Sequence, residues 1–235
     1  MPACVSLKDL TFAYQAGQTV LTIPVFELGQ GERLFLQGAS GSGKSTLLSL
    51  ISGVFAPSSG ELTVLGHPLH ALSAGRRDAL RANAIGVIFQ QFNLVPYLTL
   101  IENVLLPCRF SPPRAARVGA TDAARREAAL SLLTRLGLGA EAADNRAVSA
   151  LSVGQQQRVA AARALIGAPS LIIADEPTSA LDTQTRDGFI DTLLQEAGAA
   201  SVLFVSHDIA LAARFDRTET MARLNTIGAR TGEAA

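Results

Sequence analysis

The 235-residue chain has no tryptophan, only two cysteines and no excess of charge of either sign. Cys4 and Cys108 are too few for a disulfide framework or a cysteine-based zinc site, so a reducing compartment is predicted. Twenty Lys and Arg balance twenty Asp and Glu, which argues against binding to nucleic acid through phosphate neutralisation. No apolar run reaches the roughly 18 residues of a transmembrane helix, and no signal peptide is predicted. The length allows one large domain or two small ones, and the 48% hydrophobic content excludes a disordered chain.

Apolar strand-like runs alternate with helical segments along the chain. Short strands rich in Val, Ile, Leu and Phe are predicted at 3–7, 19–26, 34–37, 62–65, 85–89, 171–174 and 202–205. Turns are predicted at 15–17 and 57–60. The stretch 96–168 is rich in Ala, Arg and Leu and predicts helices, one capped by Thr121 and one by Ser152. This order is typical of an α/β fold with a mainly parallel sheet, interrupted by a helical insertion.

A glycine-rich segment carries the first candidate chemistry. Residues 38–46 read GASGSGKST, fit G-x-x-x-x-G-K-[ST], and lie between an apolar strand and a helix. Such a turn directs backbone N–H groups and a helix N-terminus at phosphate oxygens. Lysine occurs only at positions 8 and 44, so Lys44 is an unusual choice here and supplies a compact charge for the β- and γ-phosphates. The alternative is an incidental loop of small residues.

Eight residues of this segment are therefore candidate phosphate-binding residues, and the hydroxyl of Ser45 is also a candidate ligand of Mg²⁺. They are Gly38, Ser40, Gly41, Ser42, Gly43, Lys44, Ser45 and Thr46.

Two carboxylates follow the apolar strand predicted at 171–174. Asp175 is placed to hold the Mg²⁺ shell, and Glu176 is placed to orient or deprotonate a water in line with the γ-phosphate. A simple helix-capping pair is the alternative, since Pro177 and Thr178 follow.

A second candidate phosphate site begins the helix capped by Ser152. The sequence Leu-Ser-Val-Gly-Gln at 151–155 places the Ser152 hydroxyl, the Gly154 N–H and a positive helix end together. An ordinary N-cap without a ligand is the alternative.

These features resemble the nucleotide-binding domains of ABC transporters over about residues 5–215. In this resemblance 38–46 corresponds to Walker A, 171–176 to Walker B with its catalytic glutamate, and 151–155 to the LSGGQ signature. The remaining family elements are matched by Tyr14 (adenine stacking), Gln90 (Q-loop), Asp182 (in the D-loop 179–182) and His207 (switch histidine).

The resemblance implies a fold and a set of roles. The fold is a single P-loop NTPase domain over 1–235, with an ATP-binding core at about 1–90 and 169–225, an N-terminal antiparallel β subdomain, and an inserted α-helical subdomain at about 91–168. The implied catalytic residues are Glu176, His207, Lys44 and Gln90. Nucleotide contacts outside the glycine-rich segment are implied for Tyr14, Ser152, Gly154, Gln155 and Asp182. The implied Mg²⁺ ligands are Ser45, Gln90 and Asp175.

The same resemblance implies partners and a location. Two copies, or one copy and a related ATPase subunit, close head to tail around two ATP molecules, each held between Walker A of one chain and the signature of the other. Closure and hydrolysis drive a transmembrane permease from the cytoplasmic face of the cell membrane. No nucleic acid partner is expected. An ATPase acting on ribosomes or DNA is the competing class, but it usually carries two cassettes or a long coiled-coil insertion.

The segment 89–104 is similar to the lipoprotein-releasing and macrolide-exporter branch (LolD/MacB-like), which pairs with FtsX-like permeases. ATPases of amino-acid importers share a similar segment and are one alternative; a regulatory partner of an FtsX-like protein that moves no solute is another. Within this segment an apolar socket for the permease is expected, unless its side chains are buried in the helical subdomain. The socket residues are Phe92, Leu94, Val95 and Tyr97.

Two expectations concern side-chain exposure. Arg114, Arg117, Arg125 and Arg126 are predicted to form a solvated helix face. Val153 departs from the family signature, which has glycine there; we expect helical dihedrals and a side chain that faces away from phosphate.

Overall fold

The computed structural model describes residues 3–15, 17–179 and 181–227. The chain forms two compact units. The first combines the residues up to Arg81 with those from Ser201 onward, and the second is the continuous stretch Ala82–Ala200. The domain boundaries given above stay a prediction, and the turn predicted at 15–17 includes Ala16, which lies outside the described residues.

An antiparallel sheet dominates the first unit. Its strands are β1 (Ala3–Ala13), β2 (Thr19–Gly29), β4 (Ser59–Val64) and β5 (His67–Pro68), in the order β2-β1-β4-β5. β1 and β2 are longer than predicted, because their apolar residues alternate with exposed polar ones that still pair across the strands. β4 begins inside the turn predicted at 57–60, where Ser59 pairs with Thr11.

A parallel arrangement completes the first unit. β8 (Ser201–Val205), β3 (Arg33–Gln37) and β9 (Arg217–Thr220) lie side by side, with β3 in the middle. The centre of β3 is fully buried, as the continuous apolar run predicts. Helix α1 (Lys44–Ile51) follows β3, and α9 (Met221–Leu224) follows β9.

The second unit pairs β6 (Ile85–Ile88) with β7 (Leu171–Asp175) in parallel and is otherwise helical. Helix α2 runs over Ala74–Ala84 and ends where this unit begins. The remaining helices are α3 (Leu100–Phe110), α4 (Pro112–Val118), α5 (Asp122–Arg135), α6 (Gly139–Ala143), α7 (Val153–Leu165) and α8 (Thr183–Ala197).

Local signals fix where two of these helices begin. The hydroxyl of Thr121 accepts the Ala124 N–H at the start of α5, and Ser152 caps α7 in a reciprocal capping box with Gln155. Both caps were predicted from the sequence. Across the described residues, no helix combines the length and the apolar character needed to cross a lipid bilayer.

Candidate functional site

The glycine-rich loop joins β3 to α1 in the first unit. Gly41 and Gly43 have φ angles of 77° and 94°, a left-handed region that glycine adopts without strain. Gly43 is the N-cap of α1 and provides no side-chain hydrogen bond to the helix end. The N–H groups of the first helical turn therefore have no side-chain cap, which suits them to bind an anion.

Lys44 holds this loop closed. Its Nζ donates hydrogen bonds to the carbonyls of Gly38, at 2.6 Å, and Ala39, at 2.9 Å. A Cβ on Gly38 would lie 2.7 Å from the Ser42 Oγ, so the loop has no space there for a larger residue. The Lys44 ammonium thus lies over the loop in which the phosphates of a nucleotide would bind.

A cavity of about 730 Å³ at the carboxyl ends of β8, β3 and β9 brings His207 together with the loop. Gly38, Ala39, Gly41 and Ser42 contribute to its walls, as does His207. The sheet explains this placement, because Val205 on β8 is in register with Leu36 on β3 and both strands therefore end at the same edge of the sheet. The imidazole of His207 is exposed.

Tyr14 follows β1 and is 56% exposed. Its ring makes edge contacts with Phe12 and Phe55, with centroids 5.0 and 5.5 Å apart. Its hydroxyl shares a 2.9 Å hydrogen bond with the Thr46 hydroxyl on α1. These contacts fix the ring relative to the glycine-rich loop and leave ring surface for stacking on a base. Sequence reasoning missed both Phe55 and the bond to Thr46, which join residues far apart in the chain.

The two candidate carboxylates lie at the end of β7 in the second unit. Asp175 is half-buried, and Glu176 is 8% exposed with a φ of 45°. A positive φ is uncommon for a residue with a side chain and is often found at functional sites. The Ser179 N–H donates to the Glu176 carbonyl at 3.3 Å, which closes a tight turn after the strand.

Gln90 leaves the neighbouring strand at the same edge. β6 is parallel to β7, with Ile88 in register with Ala174. Asp175 is the last residue of β7 and Gln90 lies two residues beyond β6, so both are at the carboxyl ends of adjacent strands. Gln90 is exposed.

Arg163 of α7, 9% exposed, donates to the carbonyls of Phe92 and Asn93 just beyond Gln90. Phe92 and Asn93 both have left-handed backbones. Sequence reasoning missed this arginine.

The expected permease socket is partly exposed. Tyr97 is 81% exposed, whereas Phe92, Leu94 and Val95 are half-buried. Buried Asn103 holds the loop, since its Oδ1 accepts the Val95 N–H at 2.9 Å.

At the start of α7, Ser152 and Gln155 are engaged with each other. The Ser152 Oγ accepts the Gln155 N–H at 3.3 Å, and the Gln155 Oε1 accepts the Ser152 N–H at 2.9 Å. Because the hydroxyl acts here as an acceptor, its own proton can still be donated to an anion. Val153 is the first helical residue and is 50% exposed, so the expected helical backbone is observed; its orientation relative to phosphate stays a prediction. A Cβ on Gly154 would lie 3.3 Å from Leu181.

Asp182 is the N-cap of α8, and its carboxylate accepts the Thr185 N–H at 3.1 Å. Ala180 of the predicted D-loop lies outside the described residues.

One exposure prediction is wrong. Arg114 is 2% exposed and donates to four carbonyls of the second unit, including Ala164 at 2.6 Å and Ile166 at 2.7 Å. The carbonyls at the end of a helix have no intrahelical donor, and Arg114 satisfies those of α7. Arg117 and Arg126 are exposed as predicted, whereas Arg125 is half-buried and donates to the Gly119 carbonyl at 2.9 Å.

The chemistry of the donor set bears on Mg²⁺. Within the described ranges, no group of three or more His, Cys, Asp or Glu could hold a metal ion. The candidate ligands are a hydroxyl, an amide and one carboxylate, which are the oxygen donors that Mg²⁺ takes alongside substrate phosphates and water. The set therefore fits Mg²⁺ delivered with a nucleotide, and does not fit a metal held by protein alone.

Comparison with known proteins gives consistent relatives. Residues 21–179 match the ABC transporter family. The chain is 43% identical over 201 residues to the uncharacterized ABC transporter ATP-binding protein YbbA of Escherichia coli K12, covering 85% of this chain and 84% of YbbA. It is 40% identical over 223 residues to the lipoprotein-releasing system ATP-binding protein LolD of Pseudomonas syringae pv. tomato, covering 92% of this chain and 93% of LolD. It is 40% identical to the macrolide export ATP-binding/permease protein MacB of Syntrophobacter fumaroxidans, covering 88% of this chain and 29% of MacB.

Solved structures agree with these relatives. A dimeric post-hydrolysis state of the ATP-binding cassette MJ0796, bound to ADP and Pi, superposes with a TM-score of 0.82 at 38% identity, covering 92% of this chain and 93% of that one. An ATP-bound bacterial Atm1-family ABC exporter superposes with a TM-score of 0.73 at 25% identity, covering 92% of this chain and 36% of that one. The predicted fold class is confirmed, and the chain belongs to the ATP-binding, ATP-hydrolysing subunits of ABC transporters.

Proposed function

We propose that this chain hydrolyses Mg·ATP at the glycine-rich loop and thereby drives a transmembrane permease of the export or lipoprotein-release type. The observation that carries the proposal is the loop itself. Its helix end has no side-chain cap, and the Lys44 ammonium lies over carbonyls at the place that the phosphates of a nucleotide would enter.

Binding is assigned to the residues around this loop. Backbone N–H groups of 38–46 and the Lys44 ammonium neutralise the β- and γ-phosphates, and Tyr14 stacks on the adenine. His207, which shares the cavity with the loop, contacts the γ-phosphate.

Attack on the γ-phosphate is assigned to Glu176 of the second unit, and the metal ion to three side-chain ligands. The Glu176 carboxylate orients the attacking water and accepts its proton, a role worth about 10²- to 10⁴-fold in rate. Ser45, Gln90 and Asp175 would hold Mg²⁺, which would supply positive charge to offset that of the nucleotide's phosphates. Family membership supports the assignment of both sets of residues to one nucleotide.

We propose that the active form is a homodimer or a pair with a related ATPase subunit. The chain carries one glycine-rich loop and one signature, and the cassette structures of MJ0796 that it resembles are dimers. Ser152, Gly154 and Gln155 of one chain then cover the nucleotide of the other, with the Ser152 proton available for donation. Asp182 lies in the loop that precedes α8 and contributes to the same interface.

The export or lipoprotein-release assignment rests on the relatives named LolD and MacB. It implies an FtsX-like permease, contacted through the loop that carries Tyr97, and a position on the cytoplasmic face of the membrane. The ATPase of an amino-acid importer and a non-transporting partner of an FtsX-like protein are the alternatives. Reconstitution of the chain with an FtsX-like permease in vesicles separates them: ATP-dependent movement of lipid-linked cargo supports the proposal, and ATPase activity without cargo movement supports the regulatory alternative.

Two substitutions test the catalytic assignment. Glu176→Gln should keep nucleotide binding and lower kcat about 10²-fold or more, because the amide cannot accept the proton of water. Lys44→Ala should weaken ATP binding, as measured by fluorescence titration. Lys8→Ala is the matched control, since the chain has no other lysine and Lys8 lies exposed on β1. Unchanged turnover in the Glu176 variant, or equal ATP affinity in the two lysine variants, would contradict the assignment.

A further inference from the structure

Helix α7 packs directly against the segment that follows Glu176. Gly154 and Gln157 are three residues apart and therefore lie on the same face of α7. Gly154 leaves room for the Leu181 side chain, and the Nε2 of Gln157 donates a hydrogen bond to the Pro177 carbonyl. The start of the signature helix thus supports the 176–182 segment of its own chain at two points, both within the second unit.

Gln157 is an unusual residue for its surroundings. It is fully buried, in a helix that continues with the buried residues Val159, Ala160, Ala161 and Ala162. Its Oε1 is buried without a hydrogen-bond partner among the residues that the structure describes. A buried amide that is only half satisfied costs stability, so packing alone does not account for a glutamine here. What the amide does provide is a fixed donor for the Pro177 carbonyl.

The backbone at Glu176 needs such support. Its φ of 45° is unfavourable for a residue with a Cβ, and the pyrrolidine ring of Pro177 further restricts the residue before it. Two hydrogen bonds flank this position: the Ser179 N–H donates to the Glu176 carbonyl, and Gln157 donates to the Pro177 carbonyl. Since the backbone conformation sets the direction of the Cα–Cβ bond, these bonds constrain the direction in which the Glu176 side chain leaves the main chain.

We propose that Gln157 is a positioning residue for Glu176. Its hydrogen bond to the Pro177 carbonyl holds the carboxylate in its catalytic orientation and ties that orientation to the signature helix of the same chain. When the N-terminal end of α7 binds a nucleotide held by a second copy, the Glu176 carboxylate of the same chain is thereby kept in its catalytic orientation. This inference rests on the proposed role of Glu176 as the group that acts on water.

The test uses Gln157→Met in the full chain. Methionine has a similar length and shape but no donor, so the Pro177 carbonyl loses its partner while the packing is retained. We expect kcat for ATP hydrolysis to fall about 10- to 100-fold, in line with the cost of a small misplacement of a catalytic group, with the KM for ATP within twofold. Gln157→Ala cannot overpack the site, and alanine favours the helix. It should likewise lower kcat while leaving KM nearly unchanged, and it replaces the methionine variant if that variant does not fold.

Two comparisons separate this role from a structural one. Arg114→Met removes a buried donor at the opposite end of α7; it should lower the melting temperature while leaving kcat at 25 °C within twofold. In a Glu176→Gln background, Gln157→Met should cause no further loss, because the two residues act on one step.

The outcomes are distinguishable. A kcat within twofold of the parent in either folded Gln157 variant overturns the inference, as does a full additional loss in the double variant. Retained turnover in Glu176→Gln alone instead overturns the proposed function on which the inference rests.

Discussion

Replacing Arg114 by methionine should destabilise the protein far more than the same change at Arg117, although both arginines lie on α4 and both donate to main-chain carbonyls. Arg117 donates to Gly167 at 2.8 Å and to Asn83 from an exposed position. Arg114 is 2% exposed, and its carbonyl partners belong to segments more than twenty-five residues away in either direction. The pair therefore compares a buried arginine with four carbonyl partners and an exposed one with two.

The magnitude follows from the two shortest bonds of Arg114. These reach Ala164 and Ile166, whose carbonyls lie at the end of α7, where no further helical N–H is available. Burial lowers the pKa of Arg114 to about 10, so the side chain is still charged at neutral pH. A hydrogen bond with a charged donor contributes about 1.5–3 kcal/mol, so these two bonds contribute about 3–6 kcal/mol. Methionine recovers part of this because it buries no charge, and we expect a net loss of about 3 kcal/mol.

The assay is thermal unfolding followed by circular dichroism at neutral pH. For a chain of this size, about 3 kcal/mol corresponds to a melting temperature lower by about 6–12 °C. The exposed control, Arg117→Met, should shift it by less than about 2 °C. Equal shifts in the two variants would refute the reasoning, because they would show that burial does not decide what these arginines contribute.

Three further substitutions test individual contacts. Tyr14→Phe keeps the ring but loses the bond to Thr46, so ATP affinity by fluorescence titration should fall about threefold, less than for Tyr14→Ala. Val153→Gly should leave turnover within about twofold, since the valine is helical and half-exposed; a tenfold rise would contradict this. Burial raises the pKa of Glu32, but hydrogen bonds from Arg217 and the Gly29 N–H outweigh it and lower the pKa below its usual range. The ionised carboxylate thus stabilises the fold above the pKa of glutamate in the unfolded chain. This effect is lost as pH falls through the lowered pKa, so Glu32→Gln should flatten the acid limb of a stability–pH profile.

Local chemistry made much of this molecule predictable. A serine or threonine before an amphipathic stretch identified the caps of α5 and α7, because the hydroxyl and its acceptor N–H lie three residues apart. The glycine-rich loop was found in the same way, since its function depends on nine consecutive residues. Family resemblance then supplied single residues such as Tyr14, Gln90 and His207, which carry no local signal of their own.

Contacts between distant segments were not predictable. Arg114 lies in a sequence rich in Arg and Ala, which favours a solvated helix face. Yet two of the carbonyls that accept its hydrogen bonds come from residues 50 and 52 positions further along the chain. Gln157 looks like one of three consecutive glutamines on a polar helix start, and its partner is 20 residues away. In both cases the side chain pairs with main-chain oxygen, which leaves no complementary residue type in the sequence to search for.

Three side-chain contacts tie α7 to other parts of the second unit. Gln157 binds the segment after Glu176, Arg163 binds the loop after Gln90, and Arg114 satisfies the far end of the helix. A displacement of α7 either breaks these hydrogen bonds or moves both loops with it. Breaking the bonds of Gln157 and Arg114 would leave buried carbonyls unpaired, which is costly. An event at the signature end of α7 is therefore expected to reach Gln90 and Glu176 as one movement.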